Sequence, residues 1–215
     1  MYLLGLCGRS GSGKSTVCRF LKQRGVYCID ADKVCHRVYE TDMECVNELC
    51  DSFGKGILSD GKLDRTLLGK AVYSVDGGIA TLNTITHKYI IAAILAEAKV
   101  AFANGCRFVV VDAPVLFESG LNAYCDATIA VIADDARLLD RLKKRDGLDS
   151  TMLEKRLRSQ KNNKFLMDNC TAVIKNCGSE KDLRLNTYRA MLGLQLKLGI
   201  IKPYKGVKRY ALKPC

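Results

Sequence analysis

The chain has 215 residues and a mass of 23.7 kDa, room for one ordinary domain or one domain carrying a small insertion. With 48% hydrophobic and 27% charged residues, its composition is that of a soluble globular protein and excludes a disordered chain. Lysine and arginine number 34 against 23 acidic residues, a net charge of +11. The excess is local: residues 137–215 hold 20 basic and 7 acidic side chains, a field that favours nucleic acid, a phosphate-rich small molecule or a membrane surface.

In chain order, residues 2–7 form an apolar run ending in glycine, the pattern of a buried strand. Residues 14–23 have helical character and residues 26–30 read as a second strand. Helices are expected over about 33–50 and 66–73, with a glycine-rich turn region at 53–61 between them. Ile90, Ile91, Ile94, Leu95, Ala98, Ala101 and Phe102 keep a 3.6-residue period, which predicts an amphipathic helix over 88–103 stopped by Asn104-Gly105. The β-branched run 108–112 predicts a central parallel strand, with further strands at 126–132 and 172–174. A packed helix is expected where Leu183, Tyr188, Leu192, Leu194 and Leu196 interleave with the C-terminal lysines. Strands alternating with helices imply an α/β fold around a parallel sheet, with a helical insertion at about 33–88 and a basic tail at 201–215. No apolar run reaches about 18 residues, so no transmembrane helix is expected, and residues 1–6 do not read as a secretory leader. Eleven cysteines without a C-x-x-C pair, and only His36 and His87 as imidazoles, argue against zinc and for reduced thiols in an intracellular protein.

Gly8-Arg9-Ser10-Gly11-Ser12-Gly13-Lys14-Ser15 matches G-x-x-x-x-G-K-[ST] at every fixed position. The glycines let backbone N–H groups turn toward phosphate, Lys14 reaches the β- and γ-phosphates, and the Ser15 hydroxyl ligates Mg²⁺. The helix that follows points its positive end at the same phosphates. Nucleoside-triphosphate binding is therefore expected at Gly8, Ser10, Gly11, Ser12, Gly13, Lys14, Ser15 and Thr16. A guanine-reading N-K-x-D segment is missing, since Asn163-Lys164-Phe165-Leu166 lacks the aspartate. The short chain and inserted helical region point to a small-molecule kinase, which needs an acceptor site, a carboxylate for the hydroxyl proton and arginines over the transferring group. Asp30 and Asp32 leave the carboxyl end of a strand beside the loop, where open α/β sheets bind ligands; Asp30 reads equally well as a capping carboxylate. Asp112 ends the most apolar strand, where P-loop proteins keep a carboxylate behind the Mg²⁺ ligands. Arg141 and Arg145 are four apart and share one helix face, as a phosphate-clamping lid over about 137–165 requires.

Several motifs together resemble one family, the dephospho-coenzyme A kinases. They are the loop itself, Ile29-Asp30-Ala31-Asp32, Phe53-Gly54 with Asp60-Gly61-Lys62-Leu63-Asp64-Arg65, Leu82-Asn83-x-Ile85-Thr86-His87 and Asp112-Ala113-Pro114-Val115-Leu116-Phe117-Glu118. Arg141-x3-Arg145-Asp146-Gly147, Arg156-x3-Gln160 and Ile174-Lys175-Asn176-Cys177-Gly178 complete the set, and the likeness runs from Tyr2 to about Gly178. The resemblance implies a three-layer P-loop fold over residues 1–200 with a helical acceptor-binding insertion and a helical lid. It implies ATP- and Mg²⁺-dependent phosphorylation of the ribose 3′-hydroxyl of dephospho-coenzyme A, in the cytoplasm or an organelle. Under it Asp32, Lys14 and Arg141 are the catalytic residues, with Asp32 receiving or orienting the hydroxyl. Arg145 and Asn176 join the ATP site; Arg65, His87, Phe117 and Glu118 join Asp32 around the acceptor; Ser15 and Asp112 serve the metal. The alternatives are a P-loop kinase for a nucleoside, nucleotide or other metabolite, and a nucleic-acid-stimulated ATPase using the basic C-terminal region. Three departures from the family pattern stand out: Arg9 in a loop that is commonly Gly-Gly-Ile-Gly, Lys88 after His87 where proline is common, and Cys170-Thr171 where Ala-Asp is usual. Arg9 reads as a further phosphate contact or as a side chain extending into solvent.

Overall fold

A computed structural model describes residues 1–147 and 149–201. All but the first residue of the expected basic tail lies outside the described residues.

The chain folds around a five-stranded sheet in the order β2-β5-β1-β6-β7, parallel throughout. The strands are β1 (Tyr2–Cys7), β2 (Tyr27–Asp30), β5 (Phe108–Asp112), β6 (Ala127–Ile132) and β7 (Ala172–Lys175). Their continuous apolar runs follow from burial on both faces. Val109 and Val111 of β5 enter one core with Leu3 and Cys7 of β1, while Val110 enters the other with Leu4 and Leu6. The period of two thus feeds two hydrophobic layers. The layer behind Leu4 is completed by α1 (Lys14–Lys22), through Val17, Phe20 and Leu21, and by α9 (Glu180–Lys197), through Leu183, Met191 and Leu194.

The opposite layer holds α2 (Ala31–Thr41), α3 (Met43–Phe53), α4 (Arg65–Ser74) and α5 (Gly78–Ala103). The single helix expected over 33–50 is two helices. Asp42 takes an extended conformation, ends α2 and caps α3 by accepting from the Cys45 N–H at 3.0 Å. Buried side chains continue in helical register on both sides of the break, so periodicity alone cannot reveal it. The glycine-rich turn region contains a two-residue hairpin, β3 (Leu58–Ser59) with β4 (Lys62–Leu63). Helix α5 starts ten residues earlier than its apolar period suggests and runs through position 88 without interruption. Its first turns carry Thr81, Thr84 and Thr86, whose hydroxyls bond back to carbonyls four residues earlier, masking the helix in a residue type that usually favours caps and turns.

By length and composition alone α5 could cross a bilayer, with mean hydropathy 1.3 over its most apolar window. Its neighbours give it another role: α2, α3, α4, β2 and β5 pack on it, Lys88 pairs with Glu48 and Arg37 pairs with Glu97. It packs along one face on these elements, through Ile85, Ile94, Ala98 and Ala101.

Beyond β6 the chain forms α6 (Asp135–Asp146), α7 (Ser150–Arg158) and α8 (Asn163–Asn169). Helices α6 and α7 enclose a small core of their own, made by Ala133, Leu138, Leu142, Leu153 and Leu157. This core lets them stand over the loop after β1 as a unit.

Candidate active site

The loop 8–13 joins β1 to α1 and departs from ordinary backbone where the motif has glycine. Gly8 has φ 153, and a Cβ there would lie 2.4 Å from the Val131 carbonyl oxygen. Gly13 caps α1 with φ 99, and a Cβ there would meet Asn176 Nδ2 at 2.5 Å. Both positions therefore demand glycine on conformation and on space. Lys14 Nζ donates to the Gly8 carbonyl at 3.0 Å, folding the side chain back along the loop.

At the carboxyl edge of the sheet, Asp30 and Asp112 are register partners on adjacent strands. Asp30 caps α2, accepting from the Lys33 N–H at 3.1 Å, and Asp32 lies in the first turn of that helix. These carboxylates, Lys14, Ser15 and residues 9–13 of the loop line one cleft of about 480 Å³. Arg141 and Arg145 of α6 and Arg156 of α7 enter it from the other side, with Gln160. The cleft thus sets cations and helix-start amides against three carboxylates, an arrangement suited to a polyphosphate and a divalent cation.

Asp112 is the carboxylate at the end of β5. Burial pushes its carboxyl above the usual range, Asp30 and Asp32 add to the rise, and Lys14 opposes it. Its Oδ1 is buried without a partner, as is Ser12 Oγ. A raised native value means that the native state holds the proton more tightly than the unfolded chain. Ionisation therefore costs stability as pH rises from the ordinary aspartate range through the raised value, and the cost persists at neutral pH. Asp112→Asn is expected to raise the Tm of the ligand-free protein at pH 7, by ~2–4 °C per kcal/mol recovered. The gain should shrink as pH falls through the raised value, while Mg²⁺-ATP binding weakens. Thermal denaturation at two pH values together with an ATP titration checks both signs.

The lid side is fastened to the loop by contacts the motif does not announce. Gln160 Oε1 accepts from the Ser10 N–H at 2.9 Å and its Nε2 donates to Ser10 Oγ at 3.0 Å. Arg9 does not extend into open solvent; it lines both this cleft and the one beside it, tied to the lid. It is 7% exposed, pairs with Asp135 at the start of α6 and donates to the Leu157 carbonyl at 3.2 Å. A long side chain beside a two-helix unit thus meets an acidic partner and shares a helix-end carbonyl with the Gln160 N–H. Arg9→Ala removes one of the hydrogen bonds to the Leu157 carbonyl, which still accepts from the Gln160 N–H at 3.3 Å, and the pairing with Asp135, so a loss of about 1 kcal/mol is expected, read as a lower Tm and a higher KM for ATP. Asp135 is 66% exposed, so Asp135→Asn should cost less in the same melts.

Arg141 donates to the Gly11 carbonyl at 3.2 Å and to Asn176 O and Oδ1, both at 3.3 Å. Asn176, expected among the ATP contacts, is 6% exposed and lies behind the loop. Its Nδ2 donates to the Ser12 carbonyl at 2.8 Å and its N–H to the Ile132 carbonyl at 2.8 Å, so its polar atoms brace the loop rather than face the cleft. Arg145 and Arg156 both hold Asp146, and the Arg145 hydrogen bonds keep that carboxyl below its usual range.

The remaining expected residues fall outside this cleft. Phe117 and Glu118 line a second cleft of about 270 Å³ with Gly8, Arg9, Gln160 and Lys161, adjoining the first through the shared Arg9, Pro114 and Gln160. Phe117 packs edge-on against Phe165 at 5.3 Å. His87 is half-buried; burial lowers its pKa, and the nearby Glu118 charge opposes that. Arg65, at the start of α4, is exposed and lies close enough to Cys35 to lower its pKa against burial, while Asp32 raises it. Thr16 sits in the first turn of α1, outside the residues that line the main cleft. Arg156 and Gln160 are cleft residues that the site assignment from sequence omits. Their only signal there is the Arg156-x3-Gln160 spacing, which carries meaning once α7 is placed over the loop.

The ligand set suits magnesium. Among the described residues no group of three His, Cys, Asp or Glu side chains could hold a metal alone, but the exposed Ser15 beside the orphaned Asp112 oxygen offers hard oxygen donors. Mg²⁺ characteristically takes one or two protein ligands and completes its shell with water and phosphate.

The sequence model of the family described as dephospho-CoA kinase matches residues 2–182. The chain belongs to the dephospho-CoA kinase family. It is 37% identical over 200 residues to a dephospho-CoA kinase domain-containing protein of Danio rerio, covering 92% of this chain and 86% of that one. It is 34% identical to the dephospho-CoA kinase of Latilactobacillus sakei, covering 93% and 98%. The solved dephospho-CoA kinase of Campylobacter jejuni superposes with a TM-score of 0.68 at 25% identity, covering 93% of this chain and 98% of that one. Membership makes the chain a phosphotransferase of the P-loop kinase fold, and a shikimate kinase of Bacteroides thetaiotaomicron, 14% identical with a TM-score of 0.53, shares that fold.

Proposed function

We propose that this family member transfers the γ-phosphoryl group of ATP to the ribose 3′-hydroxyl of dephospho-coenzyme A, giving coenzyme A and ADP. The observation that supports it is the single cleft in which Lys14 and Ser15 meet Asp32 and Asp112 under Arg141, Arg145 and Arg156. The loop amides and Lys14 would bind the β- and γ-phosphates, and Arg141 would neutralise charge that spreads over the transferring oxygens. Arg145 would exchange Asp146 for a phosphate oxygen as the lid closes, excluding water from the reaction. Asp32 would accept a hydrogen bond from the 3′-hydroxyl, orient it in line and take its proton as the new P–O bond forms. Ser15, with Asp112 behind it, would hold Mg²⁺, which supplies charge neutralisation on the phosphates when bound.

Phe117, Glu118, His87 and Arg65 form the acceptor side in this reading, with residues 33–88 as the acceptor-binding region. Asn176 acts on ATP through the loop it braces. A cytoplasmic location goes with this reading, since ATP and Mg²⁺ are supplied there. The test is ADP release by the purified protein with Mg²⁺-ATP and a panel of acceptors. Turnover should require dephospho-coenzyme A. Equal turnover with a nucleoside or another metabolite, or stimulation by RNA in its place, would overturn the assignment.

A further inference from the structure

Cys7 is the last residue of β1 and directly precedes Gly8, whose carbonyl holds Lys14. Cys170 ends α8 and directly precedes the residues leading into β7. These two residues, 163 apart in sequence, bring their Sγ atoms to 3.5 Å, about 1.5 Å beyond a disulfide bond. Nothing in the phosphoryl-transfer chemistry uses either thiol. The pair is also asymmetric in access: Cys7 is 1% exposed, whereas Cys170 is half-buried.

We propose that Cys7 and Cys170 form a reversible disulfide that weakens nucleotide binding by pulling on the start of the phosphate loop. Cys170 is the attacking thiol. The hydrogen bond from Cys7 lowers its pKa, and one with Thr128 does so too, against the effect of burial. The hydrogen bond between the two thiols, and burial, push the Cys7 thiol up and keep it protonated. The oxidant is a peroxide. Cys170 thiolate attacks one oxygen of hydrogen peroxide, the O–O bond breaks, and Cys170 sulfenic acid and hydroxide result. The Cys7 sulfur then attacks the Cys170 sulfur, the S–O bond breaks, and the departing hydroxide leaves with the Cys7 proton as water. Two thiols and one peroxide give one disulfide and two waters; the thiols lose the two electrons that the peroxide gains. Because Cys7 and Gly8 are consecutive, drawing the Cys7 side chain toward Cys170 moves the backbone that carries Lys14's anchor. Cys18 and Cys28 are a second close pair, with Cys28 Sγ 3.7 Å from the Cys18 carbonyl, so the test must separate the two.

The purified full chain is treated with hydrogen peroxide, its remaining thiols are alkylated without reduction, and the digest is read by peptide mass spectrometry. A cross-linked peptide joining Cys7 to Cys170 is expected, lighter by two hydrogens than the two reduced peptides. ATP affinity in the oxidised protein should fall about tenfold, equivalent to ~1.4 kcal/mol, and return with dithiothreitol. Cys170→Ser should bind ATP as the reduced wild type does, yield no cross-link and keep its affinity after peroxide. A digest without the Cys7–Cys170 peptide would overturn the proposal. So would a cross-link that leaves ATP affinity unchanged, or an equal peroxide-induced loss in Cys170→Ser, which would assign the effect to another thiol such as Cys18 or Cys28.

Discussion

Lys14→Ala is expected to lower kcat for ADP release by about 10²–10³, the range found when one fixed charge-stabilising donor is removed from a water-poor site. Among the described residues this side chain has one hydrogen-bond partner, the Gly8 carbonyl, to which it donates at 3.0 Å. Losing that bond costs about 1 kcal/mol and shifts Tm by ~2–4 °C. The large effect on rate and the small effect on stability have one cause. In the proposed function the charge of Lys14 serves the ligand phosphate, so its value would be realised in the complex. Steady-state kinetics at saturating Mg²⁺-ATP, paired with a thermal melt, reads both. A kcat within tenfold of wild type would mean that Lys14 is not the cation at the transferring group.

Asp32→Asn should reduce kcat by about 10²–10⁴, as expected for loss of a positioned general base, with ATP affinity little changed. The amide keeps the size and the hydrogen-bonding shape of the carboxylate but cannot take the hydroxyl proton. Asp32 stands in the first turn of α2, where the helix dipole favours its negative charge, and faces the same cleft as Lys14 and Asp112. Asp30 is spent on capping α2, leaving Asp32 as the carboxylate of this segment free for the acceptor. Single-turnover rates and ATP titrations separate the two effects. A variant with normal turnover, or one that fails by losing ATP, would remove Asp32 from this role.

The positive charge of the C-terminal part can now be divided. Arg141, Arg145 and Arg156 face the cleft, while Arg158, Lys144 and Arg137 make ion pairs on exposed lid surface. Exposed pairs of this kind contribute little to stability, typically below about 1 kcal/mol, so their value lies in the field they add around a polyphosphate site.

Much of this protein was determined by local sequence. The loop 8–15 carries its own geometry, because glycines at Gly8 and Gly13 and the following helix start need no distant partner to be recognised. The strands were legible because a sheet buried on both faces demands uninterrupted apolar runs, and their alternation with helices implied a parallel sheet. What the tertiary structure decided is everything that depends on which end of which element meets another. Helix α5 begins ten residues before its apolar period: its threonine hydroxyls turn back onto carbonyls four residues earlier instead of competing for the chain, and α2, α3 and α4 pack on it. Asn176 braces the back of the loop because its four hydrogen bonds, to Arg141, Ser12 and Ile132, join three separate segments. Arg9 became a buried tie to the lid, and Gln160 a partner of Ser10, through contacts spanning 126 and 150 residues of chain. Cys7 and Cys170 met in the same way. Local patterns record the conformations a segment favours by itself; partners so far apart in sequence leave no period or spacing to read, and only the packing of the layers brings them together.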